Sequence, residues 1–387
     1  MDEKQTNTII VGASAAGLAC AACLNKSGIP YLLLEQYSYV AHAWRNHYDR
    51  LHLNTEKGSS SLPYLSFPAD SPNFVSRDEV VLYLEKYART FDIKPLFNQE
   101  VTSVRQTGRW WTVTTAKLQY KAENIIIATG NNRRPCTPYW EGMEDFTGSI
   151  IHSSSYKNGK SYIGKKVLVV GFGNSSCEIS ICLHEHGAFP VLSVKDPVNV
   201  IPRGNGGPLT ALANCFAWVA KKAPVLVDSL TAPFLRWRFG DITKVGLRKL
   251  PYGPNVQIVK HKRVPLLDIG TMKLINDGVI PVFPGIARFT RDGVQFTNGH
   301  EVKFDAVILG TGYSPALNDI LPRELKLTNE TGSPLNSGTM SACENLYFCG
   351  FYTSPLGMLR EIGREARKIS NAIFKKEVAR RSGILNH

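Results

Sequence analysis

The sequence predicts an α/β chain built from two Rossmann-like dinucleotide-binding domains, one inserted into the other. Two glycine-marked turns carry the first part of that prediction: Gly12-Ala13-Ser14-Ala15-Ala16-Gly17 and Gly171-Phe172-Gly173-Asn174-Ser175-Ser176. Each follows an apolar run, Thr8 to Val11 or Lys166 to Val170, and each opens a plausible helix, the context in which such a turn carries meaning. The nesting rests on two further strands that end in matching Thr-Gly turns. These are Ile125-Ile126-Ile127-Ala128-Thr129-Gly130 and Val307-Ile308-Leu309-Gly310-Thr311-Gly312-Tyr313, natural places for a chain to leave and re-enter its first domain. The expected boundaries are 1–160 with 310–387 for the outer domain and 161–309 for the inserted one.

At such a turn, backbone N–H groups at a helix N-terminus, with the positive end of its dipole, receive a pyrophosphate, and glycine lets the chain come close. The first turn therefore offers Gly12, Ser14, Ala15, Ala16 and Gly17 as contacts, and the second offers Gly171, Gly173, Asn174 and Ser175. Each copy departs from the full pattern once. Ser14 stands where a second Gly usually permits close approach, and Ser176 replaces the Gly that allows tight packing of helix on strand.

The residue that discriminates between cofactors lies at the end of the next strand. Glu35 follows Tyr31-Leu32-Leu33-Leu34, 23 positions after Gly12, where a carboxylate accepts bonds from ribose hydroxyls; this favours FAD. Lys195 lies 24 positions after Gly171, where a cation suits a 2′-phosphate; this favours NADPH, with NADH kept as the alternative because Asp196 is adjacent. The Thr-Gly turns add Thr129, Gly130, Thr311 and Gly312 to the cofactor-binding set.

A chain of 387 residues has room for both domains and a large core. The 45 Lys and Arg exceed the 32 Asp and Glu, but the excess is scattered, so anionic cofactors or an acidic substrate explain it without nucleic acid. The basic tail with Lys375, Lys376, Arg380 and Arg381 reads as a solvated helix face. Eight cysteines without small-domain spacing read as reduced thiols. Cys20 and Cys23 match a redox CxxC, yet they fall in the helix after the first turn, where small residues pack on a sheet. No apolar h-region precedes the first strand, so the expected location is cytoplasmic. The uncharged run from Gly204 to Ala220 is too short to span a bilayer, and no integral membrane segment or metal site is expected. With Lys221 and Lys222 it reads either as a membrane contact or as part of a helical cover over about 207–250, which includes Trp218 and Trp237.

Phe146-Thr147-Gly148-Ser149-Ile150-Ile151-His152-Ser153-Ser154-Ser155-Tyr156 fits F-x-G-x-x-x-H-x-x-x-Y, which resembles the identifying sequence of flavin-containing monooxygenases. Tyr48-Asp49-Arg50-Leu51, Val225-Leu226-Val227-Asp228, Gly240 to Leu247 and Leu267 to Thr271 are similar to motifs of the YUCCA-like branch. The resemblance implies FAD, NADPH and dioxygen, activated through a flavin hydroperoxide. In that branch it implies oxidative decarboxylation of indole-3-pyruvate or a related 2-oxo acid. N- or S-oxygenation of amines or sulfides and an NADPH-dependent flavin disulfide reductase remain the alternatives. Asn54 falls where the wider family carries an active-site asparagine and is the expected catalytic residue; Trp44, Arg45 and Leu51 join the cofactor-binding set. Where the plant branch usually has a His-Leu-Pro-Lys-like segment, this chain reads Leu53-Asn54-Thr55-Glu56-Lys57. The expected partners are a small aromatic or acidic substrate and dioxygen, and a homodimer is compatible with the sequence.

Overall fold

The computed structural model describes residues 3–204, 219–220, 222–261, 263–352, 354 and 357–382. The chain forms two compact units: Met1–Arg45 with Thr55–Arg134 and Tyr313–His387, and Asn46–Asn54 with Pro135–Gly312. The second unit thus begins at Pro135, ahead of the boundary read from sequence, and it also takes the short segment 46–54. The reason is non-local pairing. Ser149–His152 lies parallel to Ala306–Leu309 in the sheet of the second unit, with Ile150 opposite Val307.

The first unit is organised on a six-stranded sheet. Tyr31–Leu34, Glu3–Val11 and Gln119–Ile127 run parallel in that order; beyond Gln119–Ile127, its first half pairs antiparallel with Trp110–Thr115, followed by Val101–Thr107, and its last residues pair parallel with Leu346–Phe348. Ile9, Ile10 and Ile125 to Ile127 are fully buried, which explains why these strands read as unbroken apolar runs: both faces are covered. Helix Ala15–Lys26 is buried from Ala15 to Leu24, and its small side chains let it pack against the long helix Met358–Arg381. That long helix buries Leu359, Ile362, Ala366, Ile369 and Ile373, one stripe at helical spacing. Its basic end is not simply solvated, because Arg380 pairs with Glu123 and Glu377, and Lys376 with Glu344. Helix Arg77–Thr90 starts at a capping box in which Ser76 and Glu79 satisfy each other's backbone N–H.

The second unit has a five-stranded parallel sheet in the order Val282–Phe283, Phe189–Ser193, Lys166–Val170, Ala306–Leu309, Ser149–His152. Helix Asn174–Glu185 packs on it through Cys177, Ile179, Cys182 and Leu183. An antiparallel ribbon, Ile286–Thr290, Gly293–Phe296 and Glu301–Lys303, closes a second cluster around Phe289, Phe296 and Phe304. Helices Pro224–Phe239 and Pro254–His261 pack on one another. The join is a buried carboxylate: Asp228 accepts from the backbone N–H groups of Asn255 at 2.8 Å and Val256 at 2.9 Å. Of the cover expected over 207–250, residues 207–218, with Trp218, and residue 221 lie outside the described residues. Trp237 is exposed, because its helix turns Val227, Asp228 and Phe239 inward instead. No helix among the described residues is long and apolar enough to cross a membrane.

Candidate active site

In the first unit the chain leaves its strand at Gly12, whose φ of +103° is a left-handed conformation that favours glycine. A Cβ here would lie 2.8 Å from the Ala128 carbonyl oxygen, so the two strand ends approach more closely than any other residue permits. Gly17 has the same function one turn into the helix, where a Cβ would run into the Gly12 carbonyl. Ser14 is the N-cap residue, and its hydroxyl does not cap the helix. Glu35 closes the cradle: its buried carboxylate accepts from Ala13 N–H at 2.7 Å and Tyr37 N–H at 3.1 Å. Burial pushes this carboxyl above its ordinary value, and the backbone N–H groups pull in the opposite direction. Thr129, at the end of the central strand, holds a buried hydroxyl with no hydrogen-bond partner, and Gly130 follows it.

In the second unit the turn repeats with different chemistry. Gly171 has φ of +111°, and a Cβ there would stand 2.6 Å from the Gly310 carbonyl oxygen. Gly173 caps helix Asn174–Glu185 with open space in front of it, room that a pyrophosphate at the helix N-terminus needs. The Asn174 side chain faces elsewhere, accepting from Leu267 N–H at 3.2 Å, which leaves its backbone N–H at the turn. Ser175 is the next residue of the same first turn. Ser176, read as a defect in the fingerprint, is matched in space. Its hydroxyl is buried and donates to the Gly310 carbonyl at 3.3 Å, and Gly310 leaves the room for it.

Lys195 is exposed beyond its strand, and the Arg248 guanidinium donates to the Lys195 carbonyl. Arg248 is a second cation that sequence reasoning missed; 53 positions separate the two, so no local signal pointed to it. Thr311 uses its hydroxyl on the Cys136 carbonyl, and Gly312 accepts from Cys136 N–H at 2.9 Å. Arg45 is held by Glu85 and by the Val40 carbonyl in the first unit, on the short helix that also carries Trp44. Leu51 packs against the core of the second unit, within segment 46–54. That segment is tied down by Arg50 to Glu185 and by Asn158, which donates to Asp49 at 2.8 Å. At its end Asn54 holds a buried amide oxygen with no hydrogen-bond partner.

The residues of the identifying sequence have structural roles. His152 accepts from Ser154 N–H at Nδ1, 3.1 Å, so Nε2 carries the proton and donates to the Gly312 carbonyl at 3.0 Å. Burial lowers the pKa of this imidazole and keeps it neutral. Phe146 packs edge-on against Phe289, and Tyr156 is buried beside Cys182. Below them Glu178 is pushed up to about 7 by burial, offset by a hydrogen bond from Tyr48 and by the charges of Arg203 and Arg50. Cys20 and Cys23 are buried in their helix, out of reach of a thiol from solution, and burial pushes the Cys23 thiol up to about 12.

Two strand–turn–helix cradles, in a unit interrupted by another unit of the same kind, define the class: a two-dinucleotide-domain α/β oxidoreductase. The model of the pyridine nucleotide-disulphide oxidoreductase family matches residues 9–198. Indole-3-pyruvate monooxygenase YUCCA6 of Arabidopsis thaliana is 38% identical over 359 residues, 89% of this chain and 85% of that protein. Among solved structures, a flavin-containing monooxygenase from Stenotrophomonas maltophilia superposes with a TM-score of 0.73 at 23% identity, over 96% of this chain and 99% of that one. OTEMO in complex with FAD and NADP gives a TM-score of 0.73 at 17% identity, over 99% and 87%. The chain belongs to the YUCCA family of flavin monooxygenases.

Proposed function

We propose that this protein is an FAD- and NADPH-dependent monooxygenase that oxidatively decarboxylates indole-3-pyruvate or a close aromatic 2-oxo acid. The balanced reaction consumes one NADPH, one proton and one dioxygen per 2-oxo acid, and yields the acid one carbon shorter, carbon dioxide, NADP⁺ and water. The observation that supports it most is the 38% identity to an indole-3-pyruvate monooxygenase across 89% of the chain, with both nucleotide cradles intact. The cradles fit the cofactors on their own chemistry. Gly12 leaves no Cβ in the first, Glu35 offers carboxylate oxygens to ribose hydroxyls, and the Thr129 hydroxyl lacks the partner that a buried polar group needs.

FAD, when bound, takes reducing equivalents from NADPH and activates dioxygen. The chain binds and orients. In the second cradle the N-terminus of helix Asn174–Glu185 receives pyrophosphate, and Lys195 with Arg248 supplies positive charge for a 2′-phosphate. Asn54 is assigned as the catalytic residue because it falls where the wider family carries an active-site asparagine, and its buried amide oxygen has no partner among the described residues. The buried Cys20 and Cys23 speak against the disulfide-reductase alternative.

The test is a product balance. Purified protein with NADPH and indole-3-pyruvate should form indole-3-acetate and carbon dioxide at one equivalent each per NADPH oxidised, with one equivalent of dioxygen consumed. NADPH oxidation that the 2-oxo acid does not stimulate, with sulfide or amine oxides formed instead, would move the assignment to heteroatom oxygenation.

A further inference from the structure

Helix Pro224–Phe239 presents a stripe of large apolar side chains to solvent. Leu226, Leu230 and Trp237 are 56%, 68% and 78% exposed, and Phe234 is 43% exposed. At about 100° per residue these four fall within an arc of roughly 80°. The buried residues Val227, Asp228 and Phe239 lie outside that arc and face the unit's interior. Phe234 and Trp237 touch, with ring centroids 5.9 Å apart, so the stripe is continuous at its carboxy-terminal end. Arg236 and Arg238, both exposed, project on opposite sides of it. Lys222 before the helix and Lys244 and Lys249 after it are exposed as well. The only carboxylate in the helix, Asp228, is buried and spent on the N-terminus of the neighbouring helix. The nearest exposed one in sequence, Asp241, accepts from Thr243, and these bonds together with the nearby charges of Arg236 and Lys244 hold its carboxyl below the ordinary value.

A continuous exposed stripe of Leu, Phe and Trp marks an interaction surface. Apolar side chains on one arc, with arginines at its margins and no exposed acid on the helix, match a helix lying in the plane of a membrane interface. Trp at the water boundary and Arg reaching toward headgroups fit the same geometry. A second copy fits less well, because helix-on-helix pairing about a twofold axis would bring Arg236 and Arg238 of each copy together, and among the described residues near the helix only Asp241, beside Arg236, offers an exposed carboxylate against these four cations.

We propose that helix Pro224–Phe239 docks the protein on an anionic phospholipid surface, with Leu226, Leu230, Phe234 and Trp237 at the acyl boundary and Arg236 and Arg238 at the headgroups. The experiment is co-sedimentation of the full-length flavoprotein with vesicles of phosphatidylcholine alone or with one quarter phosphatidylserine, at low and at physiological salt. Binding is expected on the phosphatidylserine vesicles, weakening with salt. R236E/R238E should bind at least roughly 25-fold more weakly, on the order of fivefold for each cation removed. L230S/W237S should lose more than about tenfold. Leu82→Ser, at an equally exposed leucine of the first unit, should bind as the parent does. No binding to the anionic vesicles, or equal binding by the parent and both helix variants, overturns the proposal. So does light scattering that finds a parent dimer converted to monomer by L230S/W237S, which would give the stripe to a second copy.

Discussion

Alanine at position 310 would place a methyl carbon 2.0 Å from the Ser176 hydroxyl oxygen and 3.0 Å from the Val170 carbonyl oxygen. Gly310 is not among the residues with positive φ, so the cost of Gly310→Ala comes from contact and not from backbone strain. Reaching an ordinary separation of ~3.5 Å from the hydroxyl requires roughly 1.5 Å of movement. Ser176 has nowhere to go, being fully buried with its hydroxyl directed at the Gly310 and Val170 carbonyls. Overpacking of this kind costs about 1–3 kcal/mol. Ser176→Gly removes the obstructing atoms, at about 0.5–1 kcal/mol for glycine in a helix. The pair should therefore couple: S176G/G310A should be more stable than the sum of its single variants by about 1–2 kcal/mol. The residual Val170 contact keeps the rescue partial. The assay is a double-mutant cycle on the denaturation of the second unit, followed by calorimetry with flavin absorbance tracking the first. Strict additivity of the two substitutions, or a neutral Gly310→Ala, would show that Ser176 is not accommodated by the glycine opposite it.

Thr129→Val removes a buried hydroxyl that has no partner, so the apoprotein should be unchanged or more stable by up to about 1 kcal/mol while FAD is retained roughly tenfold less well; flavin titration of the apoprotein checks this, and unaltered affinity would release Thr129 from the cofactor site. Lys195→Ala should raise the KM for NADPH on the order of tenfold and leave that for NADH nearly unchanged, with Arg248→Ala acting in the same direction; equal effects on both cofactors would remove these cations from the 2′-phosphate. His152 has a lowered pKa in the fold, so its contribution is present above the unfolded value of about 6.5 and is lost as pH falls below it; His152→Gln should flatten that acid limb in thermal denaturation between about pH 7 and 5. Glu178 behaves oppositely. Its folded pKa of about 7 lies above the unfolded value, so its contribution is complete at acid pH and lost as pH rises through 7, and Glu178→Gln should lose less stability than the parent between pH 5 and 8.

The two turns were legible because everything they need is local: an apolar run, a glycine and the first residues of a helix. The place of Glu35 against the first turn was legible for the same reason, since one helix and one strand separate it from Gly12. What escaped depends on residues far apart in sequence. Ser176 looked like a flaw in the fingerprint until Gly310, 134 positions away, was found opposite it. The compact units divide at Pro135 and not at 160, because the strand at Ser149–His152 owes its place to pairing with Ala306–Leu309. Segment 46–54 was given to the first domain by its position in the chain, yet Tyr48 and Leu51 pack in the core of the second unit. Trp237 shows the limit of composition: its helix was read as an apolar cover, and the side chain faces solvent because the phase of the helix cannot be read from its content alone.

The central strand Gln119–Ile127 takes Leu346–Phe348 as a neighbour, and helix Ala15–Lys26 lies against Met358–Arg381. On the ribosome this arrangement sets an order. The cradle at Gly12 is made early, but its sheet lacks a strand until Leu346–Phe348 is made, and its helix lacks a packing partner until Met358–Arg381 follows. Most of the other unit lies between Pro135 and Gly312 and is available earlier. At about 5–20 residues per second, the delay between Arg134 and Phe348 is on the order of 10–40 s. During that interval Ile125 to Ile127 have one strand edge open, so truncation near the carboxy terminus should yield a chain that holds nicotinamide cofactor but not flavin.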